Sequence, residues 1–139
     1  MNERATELLI ELAQHVVEQM RVHFPGWNEA YVRLEAPSDS QFGGRASYRS
    51  GTCVELIAST VHKEFFAGVL RILPDLRNAL ENNGRKFCVG LFRVNSHLQY
   101  QMDYEWNDPA RWNITKLNGR SGLPDGLDGL PPLPVIPRE

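Results

Sequence analysis

The sequence predicts an α+β protein: an antiparallel five-stranded sheet with two helices packed on one face, in the order α-β-β-β-α-β-β, followed by an extended arm. Three observations predict it. Leu98, Tyr100, Met102, Tyr104 and Trp106 alternate strictly with Gln99, Gln101, Asp103 and Glu105, the period-two pattern of a half-buried strand. Two other segments carry apolar residues three and four apart, as amphipathic helices do. After Asn107 prolines and glycines interleave, and no apolar period survives.

Taken in order, Asn2 to Phe24 forms the first helix, with Leu9, Leu12, Ala13, Val16, Met20 and Phe24 as its apolar stripe. Pro25 and Gly26 stop it. Trp27 to Ala36 reads as a strand, with Val32, Leu34 and Ala36 on one side and Tyr31, Arg33 and Glu35 on the other. Pro37 to Gly44 is dense in turn formers and predicts a loop. Arg45 to Ser50 and Thr52 to Ala58 make two short strands around Gly51.

A second helix runs from about Thr60 to Asn82, its stripe formed by Phe65, Val69, Ile72, Leu73, Leu76 and Leu80. Asn82, Asn83 and Gly84 supply a left-handed stop, and Pro74 predicts a kink or short break inside the helix. The apolar runs Lys86 to Val94 and Leu98 to Trp106 then form a hairpin around Asn95, Ser96 and His97.

Residues 1–112 accordingly read as a single domain and 113–139 as the arm, partly polyproline II. Leu123, Leu127, Leu130, Leu133, Val135 and Ile136 are costly to leave in water, which favours an arm docked on its own domain or on a partner over a disordered one. The sheet face away from the helices would be open and of mixed charge, showing Tyr31, Arg33, Glu35, Arg45, Ser47, Arg49, Glu55, Gln99, Gln101, Asp103 and Glu105.

A formal net charge of -2 without any block of Lys or Arg argues against direct nucleic-acid binding, which needs a concentrated basic face. The amino terminus lacks the basic-then-apolar order of a secretory signal, and no apolar run reaches the roughly 18 residues of a membrane span, so no membrane association and a cytoplasmic location are expected. Cys53 and Cys88 fall in strands and read as free, buried thiols. No Cys or His spacing suits a metal, the tail glycines lack the strand and helix of a nucleotide loop, and no cofactor is expected.

His15, His23, His62 and His97 carry the ordinary means of proton transfer at neutral pH, but none pairs in sequence with a nucleophile. Asp103 and Glu105 lie on one strand face about 7 Å apart by strand rise. Three roles stay open for them: acid/base work, pairing with Arg33, Arg45 or Arg49, or partner recognition. Trp106 shares the buried parity of its strand, whereas Trp112 beyond it reads equally as an interface anchor or a packing residue.

The helix ending in Phe24, Pro25, Gly26, Trp27 and Asn28, the strand Ala30 to Glu35, the helix from Phe65 to Gly84 and above all Leu98 to Asp108 together resemble the YezG-like family of bacterial immunity proteins, which includes the EsaG-type antitoxins. The likeness covers roughly residues 5 to 110 and rests on packing and strand patterns; the arm departs from the short ending of that family. It implies a cytoplasmic, non-enzymatic antitoxin that binds a cognate toxin, commonly a nuclease, and neutralises it by stoichiometric occlusion. Carboxylates could steer such an inhibitor to a basic toxin. The expected recognition edge is Glu35, Asp39, Asp103, Glu105 and Asp108 with Trp106 and Trp112 as aromatic anchors. Two rival readings remain: a secretion chaperone or adaptor binding an extended stretch of an effector, and a small enzyme using His62 or the Asp103 and Glu105 pair.

Overall fold

A computed structural model describes residues 2–134. The chain runs α1 (Glu3–His23), β1 (Glu29–Ser38), β2 (Gln41–Ser50), β3 (Cys53–Ile57), α2 (Lys63–Ala79), β4 (Val89–Asn95) and β5 (Tyr100–Glu105), the order that the sequence predicts. All strand pairs are antiparallel, and the sheet order is β3-β2-β1-β4-β5. Among its described residues the arm holds a short 3₁₀ turn at Leu127–Gly129 and a turn at Leu117–Gly119 in which Asn118 and Gly119 have positive φ.

The first helix starts where a short polar side chain can satisfy its free amides: the Asn2 carboxamide oxygen accepts from the N–H groups of Arg4 and Ala5. Its buried stripe packs with that of α2 onto one sheet face, where Ala30, Val32 and Leu34 of β1 meet Phe92 and Val94 of β4. The two helices approach closely at Gly68, where a β-carbon would fall 2.2 Å from the His15 ring. There His15 Nε2 lies 2.8 Å from the Phe65 carbonyl.

Several local expectations are corrected. The segment from Pro37 to Gly44 is mostly strand: β1 continues to Ser38, β2 begins at Gln41, and the turn is only Asp39 and Ser40. Turn composition misled because Pro37 sits at a register shift between Glu35 and Ser38, the kind of irregularity where a strand tolerates proline. The helix α2 is shorter than expected and continuous through Pro74. Asn83 and Gly84 do not stop it. Both have positive φ (52° and 77°) and form a two-residue turn in which Asn82 and Arg85 exchange backbone hydrogen bonds at 2.9 and 3.0 Å. Cys53 is exposed on the edge strand β3 and Cys88 is half-buried, so neither is the fully buried thiol expected.

The largest correction concerns the sheet face away from the helices. It is not open. The arm crosses it and returns, covering Tyr31, Arg33, Leu91 and Arg93. The Arg33 guanidinium donates to the Arg111 carbonyl at 2.9 Å and the Pro109 carbonyl at 2.6 Å. Farther along, Lys116 reaches the edge strand at Glu55, which the register with Tyr48 puts on the helix side rather than on the outer face expected for it, and the Asp125 N–H bonds the Asn113 carbonyl as the chain turns back. On the return, Leu127 and Leu130 close with Trp112 over Val89 and Leu91 as a second, smaller core, and Arg93 donates to the Pro131 carbonyl at 2.8 Å. Packing on both faces explains why every residue of β4 is buried. The arm as far as Pro131 thus docks on its own domain; Val135 and Ile136 lie outside the described residues. No helix among the described residues is long and apolar enough to cross a membrane.

Candidate functional site

The sheet register brings part of the expected acidic edge together. Glu35 of β1 and Glu105 of β5 share one row with Val89 between them, and Asp103 occupies the next row beside Leu91. All three lie on the arm-covered face, and each is engaged within the molecule. Glu35 pairs with Arg33 and, at 3.8 Å, with Arg45. Asp103 takes a 3.4 Å bond from the buried Arg93. Asp39 stands apart on the β1–β2 turn, where its bond from Arg77, reinforced by Lys86, holds its carboxyl below the usual range. Asp108 accepts from the Ala110 N–H and shapes the start of the arm.

Glu105 is the most committed of them. One of its oxygens accepts from the N–H groups of Trp106, Asn107 and Asp108 at 3.1, 3.0 and 3.1 Å, and the other from Arg111 at 2.7 Å. The bond from Arg111 and the backbone N–H groups of Asn107 and Asp108 pull its carboxyl down to about 2. This carboxylate folds the chain away from β5 into the arm. Its four acceptor bonds leave little for a partner.

The two tryptophans separate. Trp112 is 3% exposed, sealed beneath Leu127 and Leu130, with Arg111 stacked 4.5 Å from its ring centroid. It is a packing residue. Its φ of 58° is left-handed, an uncommon conformation for a bulky side chain. Trp106 is half-buried at the margin of the main core and lines a small cleft with Asn82, Asn83 and Arg85. Local alternation could not distinguish these fates, because they depend on where the arm returns.

The groups of the enzyme reading are dispersed. His62 packs against Phe24 and His23, with ring centroids 4.7 and 5.4 Å away, on the opposite sheet face from Asp103 and Glu105. Glu105, held ionised down to about 2, is poorly suited to donate a proton near neutrality. Burial raises the Cys88 thiol, which disfavours the nucleophilic thiolate. Among the described residues no group of three His, Cys, Asp or Glu side chains could hold a metal ion.

What faces solvent is a groove of about 390 Å³ between α1 and the β4–β5 hairpin, lined mainly by Ile10, Ala13, Val17, Val94, Leu98 and Tyr100. Ile10 and Leu98 are 44% and 65% exposed at its rim. Leu98 is held outward by its turn: the Asn95 side-chain oxygen accepts from the N–H groups of His97 and Gln99, and Leu98 itself takes a φ of 66°. Sequence reasoning passed over Ile10 and placed Leu98 on the buried face of the strand, whereas β5 begins only at Tyr100 and Leu98 stands exposed in the turn. The available signals were an apolar residue off the stripe of α1, at Ile10, and an apolar residue inside a polar turn, at Leu98.

Beside the groove runs β5, an edge strand with no neighbour on its outer side among the described residues. The Asn95 N–H bonds the Gln99 carbonyl, so the two-residue ladder turns the backbone groups of Gln101 and Asp103 toward β4 and those of Tyr100, Met102 and Tyr104 outward. Searches against protein-family models and against curated proteins returned no match to this chain.

Proposed function

We propose that the protein is an immunity protein, an antitoxin of the YezG-like kind, that binds a cognate bacterial toxin with a nuclease domain and neutralises it by stoichiometric occlusion. The observation that carries the reading is the apolar groove beside the edge strand β5, whose outer side has no neighbour among the described residues. A protein-binding surface needs apolar area not already spent on the protein's own core, and on this chain the groove offers it. An interface of ordinary size takes about 800 Å² from each partner, roughly a tenth of the 8041 Å² of surface here. The groove with the hairpin and the exposed side of α1 can supply an area of that order.

The internal pairing of the acidic residues alters how recognition works. Carboxylates already facing Arg33, Arg93, Arg77 and Arg111 project less field, so affinity rests more on apolar contact and shape than on long-range steering.

The test is to sequence the flanking genes and co-express this chain with each nuclease-domain toxin found there. The native chain should form a 1:1 complex with the folded toxin domain and protect the cell. Ile10→Asp, at an exposed position, should keep the fold and weaken the complex by about tenfold or more. Failure of the native chain both to bind and to protect overturns the proposal. A secretion chaperone remains the second reading because the same edge strand could pair with an extended client. Binding only to the unfolded toxin, without loss of toxin activity, would favour that reading.

A further inference from the structure

We infer that β5 is a strand-addition site, and that its occupant is an exposed β-strand of the partner with alternating apolar and basic side chains. The inference deepens the immunity reading and rests on it only for the identity of the partner as a toxin.

The two edges of the sheet differ. The outer strand β3 has five residues, and the arm reaches it: Lys116 pairs with Glu55, and a β-carbon at Gly122 would lie 3.2 Å from Val54. The other edge, β5, carries neither Lys nor Pro, the residues that commonly protect an edge from pairing. Its outward N–H and C=O groups at Tyr100, Met102 and Tyr104 form a hydrogen-bonding ladder in which the Met102 carbonyl has only a long 3.4 Å bond from the Gln101 amide to give up.

The side chains beside that ladder specify the occupant. On the helix side, a strand added to β5 places alternate residues next to Tyr100 and Met102 and beneath Ile10 and Val17, where apolar side chains pack best, although Gln14, Glu18 and Arg21 also line the groove. On the other side the intervening residues pass Gln101 and Asp103. Asp103 has a single 3.4 Å contact from Arg93 and a side chain 26% exposed, which leaves acceptor capacity for a Lys or Arg on the added strand. A second copy of this chain fits less well. Antiparallel pairing of two β5 strands about Met102 gathers Asp103 and Glu105 of both copies on one face of the seam, with no cation across from them.

The probe is a synthetic peptide of alternating Lys and Val, compared with a peptide of the same composition in blocks. The first readout is amide hydrogen exchange by NMR in the full chain. Backbone amides of Tyr100, Met102 and Tyr104 should exchange quickly in the free protein and become protected when the alternating peptide is added, while those of Gln101 and Asp103 are protected throughout. The second readout is affinity. Tyr104→Pro removes an N–H that the fold does not use, whereas Tyr104→Ala removes the same side chain and keeps the N–H. The Pro variant should bind the peptide at least about tenfold more weakly than the Ala variant, the effect of losing one edge hydrogen bond and its register.

Equal binding of the alternating and block peptides, or protection confined to residues outside β5, overturns the inference. So does a native chain that is dimeric with the three outward amides protected before any peptide is added, since a second copy would then be the occupant. A toxin that binds native protein and Tyr104→Pro equally well refutes the docking mode and leaves the immunity reading intact. Peptide binding at β5 without any toxin complex does the reverse.

Discussion

Replacing Glu105 by Gln tests whether this carboxylate anchors the arm or waits for a partner. The substitution keeps size and one acceptor oxygen but removes the charge shared by three backbone N–H groups and Arg111. Turning charge-assisted hydrogen bonds into neutral ones costs roughly 0.5 kcal/mol for each of the three. The Arg111 pair adds about 0.5 kcal/mol, since that guanidinium is half exposed and screened. Glu105→Gln should therefore lose about 2 kcal/mol at pH 7 in urea unfolding. The pH dependence supplies the stricter check. The folded carboxyl sits at about 2 against an ordinary 4.5, so its stabilisation is fully present above pH 4.5 and lost as pH falls toward 2. Asp39 is shifted in the same direction, and subtracting the Glu105→Gln curve from the parent curve cancels its contribution. The difference should shrink steadily below pH 4.5. A variant within about 0.5 kcal/mol of the parent at pH 7, or a gap that is constant down to pH 3, would refute the anchoring role.

Three further outcomes follow from the packing. Trp112→Ala should cost about 3 to 5 kcal/mol in urea unfolding, or release the arm if that is cheaper, and limited proteolysis should then cut between residues 113 and 134; an unchanged cleavage rate with a loss under about 1 kcal/mol would contradict it. Gly68→Ala should destabilise by about 1 to 3 kcal/mol although alanine is the better helix former, because its β-carbon meets His15; combining it with His15→Ala should recover part of the loss in a double-mutant cycle. Deleting everything after Leu117 removes Leu127, Leu130 and the acceptor of Arg93, so the truncated chain should keep a cooperative thermal transition at a lower Tm and self-associate through the uncovered Trp112 and Leu91, as sedimentation would show.

The sequence by itself determined the element order and the helix-side core. Period 3.6 in α1 and α2 and period 2 in β5 are local signals, and an apolar stripe such as Phe65, Val69, Ile72 and Leu76 must face a core wherever that core lies. It also carried the residues of the resemblance and the apolar content of the arm. Tertiary structure decided what the second sheet face does. Arg33 and Arg93 are charged residues at outward parity, and parity alone assigns them to solvent; they are buried because the chain after β5 crosses Arg33 on its way out and Arg93 on its return, each time with backbone carbonyls to accept their bonds. The turn from Trp106 to Arg111 engages the Glu105 carboxylate, and the returning Leu127 and Leu130 bury Trp112, so two expected recognition residues serve the arm's own packing. The groove of Ile10 and Leu98 beside β5 likewise exists only where a helix and a hairpin distant in sequence lie side by side, so the isolated apolar residues that form its rim could not be assembled from local pattern.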